Sequence, residues 1–217
     1  MTRESSGRYH EKVASALKTK KDVVTEFRCA EILLAARSIF ASKGYEAATV
    51  DDIAQLAGVA KGTVYCYFPS KFEVFIGTLR KGMLELQELT SCNMKAAHGA
   101  PAKIRVFIRT RLEYGDLNRE FYHIYFSEFS KLALHPSSVR KEFQDLYHEQ
   151  AHMLEAVIRD GIRDGEIRRV SALRMAYFVY EATRSAIAHR IQGWDTNSLS
   201  ESEDSLFDLI WKGVECK

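Results

Sequence analysis

Between Thr49 and Lys71 the chain reads TVDDIAQLAGVAKGTVYCYFPSK, and Gly58 and Pro69 punctuate it so closely that only short helices fit between them. Thr49 is a good N-cap, with Asp52 three residues later where a capping-box partner reaches back. Ile53, Ala54 and Ala57 fall at i, i+1 and i+4, one apolar stripe on a short helix. Gly58 tolerates the left-handed conformation that ends such a helix. The next helix, about Lys61 to Phe68, offers only Val64 and Phe68 to a core. Its other residues include Lys61, Gly62, Thr63, Tyr65 and Tyr67, a free face of small, basic and hydroxyl-bearing side chains. Pro69 closes it, and Ser70 with Glu73 makes a second capping box for the helix that follows.

The remaining residues repeat one period. Cys29, Ile32, Leu33, Ala36, Ile39 and Phe40 predict a helix over about 25–42 that stops at Gly44. A long pattern from Ser70 runs to about Met94, and Pro101 suits the first turn of a helix over 101–117. An aromatic segment (Phe121, Tyr122, Tyr125, Phe126, Phe129) ends at His135-Pro136. Val139 to Ile162 keep an apolar stripe up to Asp164-Gly165; a helix over 172–192, a polar loop over 193–200 and a last helix from Leu206 to Val214 complete the chain. With no period-2 run anywhere, the fold class is all-α, of about nine helices. The 46% hydrophobic content is ample for a core, and no apolar run reaches the length of a membrane span. The N-terminus is too polar for a signal peptide. Cys29, Cys66, Cys92 and Cys216 lie far apart with no CxxC pair, which fits a reducing cytosol and neither a zinc ribbon nor a disulfide framework.

The net charge of +2 would not by itself announce a nucleic-acid binder, but its distribution is uneven. Residues 1–24 hold six basic and three acidic side chains, while residues 76–217 hold 20 of each. This polar basic arm reads as a solvated tail, or as an arm that follows phosphates or enters a minor groove. Beside it, a short helix, a glycine turn and a second helix with a polar face form the signature of helix-turn-helix DNA binding.

The run from Arg28 to Val74 resembles the DNA-binding domain of the tetracycline-repressor (TetR) family. The matching residues include Phe40, Gly44-Tyr45, Ala48-Thr49-Val50, Asp52-Ile53-Ala54 and Ala57-Gly58-Val59. They continue through Lys61-Gly62-Thr63-Val64-Tyr65, Tyr67-Phe68 and Ser70-Lys71. Ala60 departs from the pattern, since the family often has Ser there as N-cap. The resemblance implies three regions: the arm 1–24, a helix-turn-helix domain over 25–71, and an effector-binding and dimerisation domain over 72–217. It implies a recognition helix in the major groove, with Lys61, Gly62 and Thr63 near base edges. Tyr65 and Tyr67 would reach phosphates or thymine methyls, and Thr49 and Lys71 further phosphates. It further implies a cytoplasmic, nucleoid-associated regulator, a repressor in the first instance, that binds a palindromic operator as a homodimer and is released by a small-molecule effector. Neither cofactor nor metal nor membrane is called for.

Two features of the second region are read from its residues. Ala176, Ala182, Ala186 and Ala188 allow close helix approach along 172–192, and residues 203–216 are apolar enough to need a partner, so these two segments are the expected dimer face. Phe107, Tyr114, Tyr122, Tyr125, Phe126, Phe129, Tyr147, Tyr177 and Tyr180 either fill the core or line a pocket for an apolar or aromatic effector, with Arg111, Glu128 and Glu181 as its polar anchors. Residues 148–152, His-Glu-Gln-Ala-His, also satisfy the H-E-x-x-H zinc-protease pattern. His148 and His152, however, fall about 140° and 180° around the helix from Phe143, on its polar side. A zinc hydrolase is therefore the weaker reading, as is a DNA-binding protein with no effector.

Overall fold

The structure, a computed structural model, describes residues 20–129 and 136–215. The described residues form nine helices: α1 Lys20–Ala47, α2 Val50–Leu56, α3 Lys61–Tyr67, α4 Lys71–Lys95, α5 Ala100–Leu117, α6 Arg119–Phe129, α7 Ser137–Arg163, α8 Ala172–Gln192 and α9 Leu199–Trp211. No strand occurs among them; one isolated antiparallel bridge joins Ile167 to Glu215. The all-α expectation is met. Most of the expected arm lies outside the described residues, but its last part, 20–24, is the first turn of α1. The polar loop over 193–200 is shorter than expected. Ser198 caps α9 in a reciprocal box with Glu201, so the helix starts at Leu199.

Packing divides the described chain after Ile76. In the first unit, the apolar stripe of α1 (Ile32, Leu33, Ala36, Phe40) is buried, as are Val50, Ile53 and Ala54 of α2 and Val64 of α3; α1 packs on α2 and α2 on α3. The α1 span is interrupted at Gly44, whose φ of 74° breaks the helical path and turns the chain toward α2. Val74, Phe75 and Ile76, at the start of α4, are buried as well. Phe75 meets Phe40 edge-on at 5.2 Å and Tyr45 at 4.8 Å. The first unit therefore needs residues beyond 71 to close its core.

The second unit is built round α5, which packs against α6, α7, α8 and α9. Ile104, Phe107, Ile108 and Leu112 are fully buried on it. Ion pairs tie the periphery: Arg80 to Glu142, Arg105 to Asp204 and Glu203, and Arg190 to Asp116. Arg190 also donates to the Asn197 carbonyl and the Ser202 hydroxyl, so it holds the segment leading into α9. Helices α5 and α7 approach closely at Gly161, where an added Cβ would stand 2.6 Å from that of Ala100 and 2.9 Å from Ile167 Cδ1. Alanine is the better helix former by about 1 kcal/mol, but overpacking outweighs it. Gly161→Ala should lower the unfolding free energy by about 1–2 kcal/mol net, read by chemical denaturation; an unchanged midpoint would contradict the close approach.

Candidate functional site

The turn between α2 and α3 is held by local chemistry. Thr49 Oγ1 accepts from the Asp52 amide at 3.1 Å, and the Asp52 carboxylate accepts from the Thr49 amide at 3.1 Å and its hydroxyl at 2.9 Å. Asp52 also pairs with Lys43 at 2.8 Å; Lys43 and Thr49 together hold its carboxyl below the usual carboxylate range. Gly58, at φ 66°, makes the turn. Ala60 is the N-cap of α3 and supplies no side-chain hydrogen bond, as its departure from the Ser pattern implies.

Helix α3 is anchored through Val64, which is fully buried, and it leaves Lys61, Gly62, Tyr65 and Cys66 exposed, with Thr63 and Tyr67 half-buried. Space beside Gly62 is open, so another molecule's backbone or phosphate has room there. Lys61 Nζ pairs with Asp51 at 2.6 Å, and that partner raises its pKa. The pair is exposed and weak, so a stronger acceptor can replace it.

Lys71 is placed otherwise than the phosphate reading has it. Its ammonium donates to the carbonyls of Tyr45, Glu46 and Ala48 at 2.8, 3.1 and 3.1 Å and sits 4.5 Å from the Tyr45 ring centre. An ammonium has three protons, and each has an acceptor here. Lys71→Met should therefore destabilise the DNA-free protein by about 2 kcal/mol, as loss of charged hydrogen bonds does. Thermal unfolding without DNA checks this; unchanged stability would return Lys71 to the surface.

In the second unit a small cavity of about 10 Å³, room for a single water, is lined by Met83, Leu86, Arg111, Phe121, Tyr122, Tyr125, Gln150, Tyr180 and Arg184. Arg111, Tyr122, Tyr125 and Tyr180 are thus brought together. Burial pushes the Tyr122 hydroxyl up to about 12 and raises that of Tyr125. Gln150 was legible only as a polar residue inside the apolar stripe of α7, and Met83, Leu86 and Arg184 carried no signal of their own. Phe107 supports Arg111, its ring centre 5.1 Å from the guanidinium. The Tyr114 hydroxyl is turned to α4, where it donates to the Gly82 carbonyl or Glu85. Phe126 stacks on Tyr122 at 5.5 Å. The side chains of Glu128 and Phe129 lie outside the described residues.

Tyr147, Tyr177 and Glu181 are not in this cavity. They form a second cluster on the more open flank of α7 and α8. The Tyr147 hydroxyl donates to Glu181 at 2.8 Å, and its ring stacks on Tyr177 at 5.7 Å. The Tyr177 hydroxyl lies 2.6 Å from His148 Nδ1. His152 meets Glu155 at 2.7 Å, and Glu149 accepts from Gln87 at 3.1 Å. The side chains of the H-E-x-x-H pattern thus turn to three different partners. Among the described residues no three His, Cys, Asp or Glu side chains converge as metal ligands.

Helices α8 and α9 expose a large apolar face: Leu173, Phe178 at 70% and Leu209 at 77%. Between them lies an open groove of about 510 Å³ lined by Arg174, Met175, Phe178, Leu209, Ile210 and Val214, among others. No helix of the described residues is long and apolar enough to cross a membrane.

A helix-turn-helix unit with an exposed polar recognition helix, followed by a helical unit with an aromatic cavity, is the organisation of a DNA-binding transcriptional regulator. The comparisons with known proteins agree: the family model for bacterial regulatory proteins of the tetR family matches residues 32–77, the helix-turn-helix and the start of α4. It is 26% identical over 195 residues to the fatty acid metabolism regulator protein of Bacillus subtilis, covering 86% of this chain and 95% of the relative. Among solved structures, FadR of Bacillus subtilis in complex with stearoyl-CoA superposes with a TM-score of 0.70 at 22% identity, over 86% of this chain and 99% of that one. A transcriptional regulator of Saccharomonospora viridis in complex with choline gives 0.77 at 21%, over 88% and 99%.

Proposed function

We propose that this regulator is a repressor that binds a palindromic operator as a homodimer and leaves it when a small molecule enters the cavity of the second unit. The single observation that carries the reading is the pairing of an exposed recognition helix with an Arg-bearing aromatic cavity along one continuous helix. Helix α4 contributes Val74 and Phe75 to the first unit's core and Met83 and Leu86 to the cavity wall. A ligand that displaces Met83 or Leu86 acts on the element that supports α3, and it favours a conformation in which paired recognition helices miss their half-sites. The relatives support a ligand-responsive mode. Stearoyl-CoA is largely apolar, as are most walls of this cavity, whereas choline is a cation. On this reading the protein works at the nucleoid and is not an enzyme.

On the DNA side, Lys61 exchanges Asp51 for a guanine edge, Gly62 permits close approach, and Thr63, Tyr65 and Tyr67 extend the contact. The Thr49 hydroxyl is engaged with Asp52, so its contribution is to fix the start of α2 beside the phosphates. With an operator obtained by binding-site selection, Lys61→Ala should cost about 1–3 kcal/mol and relax the preference at one base pair per half-site. Identical base preference in the folded variant would remove Lys61 from the interface.

The apolar face on α8 and α9 is the proposed dimer surface, self-complementary about a two-fold axis. Its members Phe178 and Leu209 fall within the expected segments 172–192 and 203–216. Phe178→Glu/Leu209→Glu should give a monomer by light scattering and weaken operator binding by at least about tenfold, because a lone subunit meets one half-site. A double variant that stays dimeric would place the interface elsewhere.

A further inference from the structure

Arg111 is 2% exposed and, among the described residues, is the one buried arginine of the second unit. The other arginines packed into this unit have carboxylates: Arg80 has Glu142, Arg105 has Glu203 and Asp204, Arg184 has Glu181, and Arg190 has Asp116. Arg111 pairs with no carboxylate among the described residues. Its Nη1 donates to Gln150 Oε1, a neutral amide, and its buried Nε–H has no acceptor. The Tyr180 and Phe107 rings, 4.5 and 5.1 Å from the guanidinium, offset part of the cost of burying the charge. They leave a cation in the interior without a counter-charge, a strongly unfavourable arrangement unless something supplies one.

The surroundings say what would supply it. Among the described residues lining the cavity there is no Asp or Glu, while a second guanidinium, Arg184, lies in the wall. The buried Tyr122 hydroxyl also has no hydrogen-bond partner. With Nη1 held by Gln150, the opposite edge of the guanidinium presents Nε–H and an Nη2–H in parallel, the pair from which a carboxylate accepts two hydrogen bonds. The other walls are Met83, Leu86, Phe121 and Tyr125.

We infer that the effector is a small organic carboxylate with an apolar or aromatic body, its carboxylate bound by the free guanidinium edge of Arg111 and the Tyr122 hydroxyl. The inference rests on the reading of this cavity as the effector site. The cavity admits little more than a water as it stands, so the body of the ligand enters by displacing side chains. Met83 and Leu86 are those that belong to α4.

The test uses the full-length protein and two series of acids, straight-chain (octanoate, decanoate) and aryl (benzoate, phenylacetate), each beside its primary amide. Thermal unfolding is read with millimolar ligand. At least one acid is expected to raise Tm by about 2–4 °C, as ligand at several times its Kd does, and its amide to do far less. The series that responds tells an alkyl from an aryl body. Arg111→Met should abolish the shift while operator binding persists. Should that variant not fold with Gln150 unpartnered, Arg111→Met/Gln150→Met removes both ends of the bond and is read instead. Acids and amides acting alike, no acid acting at all, or a shift that survives in the folded variant would overturn the inference. Operator release by the same ligands is measured separately. An acid that stabilises through Arg111 without releasing DNA keeps the anion site and removes the switch; release by an amide but no acid keeps the switch and removes the anion site.

Discussion

Three backbone carbonyls just beyond the break at Gly44, those of Tyr45, Glu46 and Ala48, converge on the ammonium of Lys71. This bond set joins the end of α1 to the start of α4 and fixes the chain on either side of the helix-turn-helix. Once Lys71 is anchored, Phe75 stands against Phe40 and Tyr45, and the small core under α3 is closed from below. A helix as short as α3 has little stability of its own, so its orientation derives from this packing. The same helix α4 then runs on to Lys95, contributing Phe75 to the first unit's core and Met83 and Leu86 to the cavity wall of the second.

Charge is treated in two ways in the second unit. At its periphery, arginines on α4, α5 and α8 meet carboxylates across helix boundaries and pin the helices in register. In its interior, Arg111 has rings and one amide in place of a carboxylate. Preorganised but unsaturated polar groups in an apolar wall are what a binding cavity requires, because they give orientation to a ligand that the wall itself holds without direction. Folding leaves the guanidinium short of a partner, and a ligand can relieve that deficit. On the proposed reading, the same feature discriminates against cationic ligands of similar size.

Local signals were legible wherever one residue type suffices. Thr49 and Asp52 predict a capping box and form one; Gly58 predicts a left-handed turn and has φ of 66°. The helical period predicted α5 and α8 almost to the residue, since Pro101 opens the one and the polar loop from Gly193 ends the other. The carbonyl partners of Lys71 were not legible, because a lysine beside a recognition helix looks the same in sequence whether it faces phosphate or caps carbonyls twenty-odd residues away. Tyr147 and Tyr177 were grouped with Tyr122 and Tyr125 because aromatic composition carries no direction. Only the rotation of α7 and α8 about their axes separates that cluster from the cavity.

Fold class, the capped turn of the helix-turn-helix and the resemblance of its DNA-binding run were determined by the sequence itself, because caps, turns and amphipathic period act over a few neighbouring residues. The tertiary structure alone decided which polar groups end up without partners. Arg111 and Gln150 are 39 residues apart, and nothing local tells whether a buried arginine will find a carboxylate or an amide. That outcome depends on how distant helices meet, and with it goes the chemistry of whatever this regulator senses.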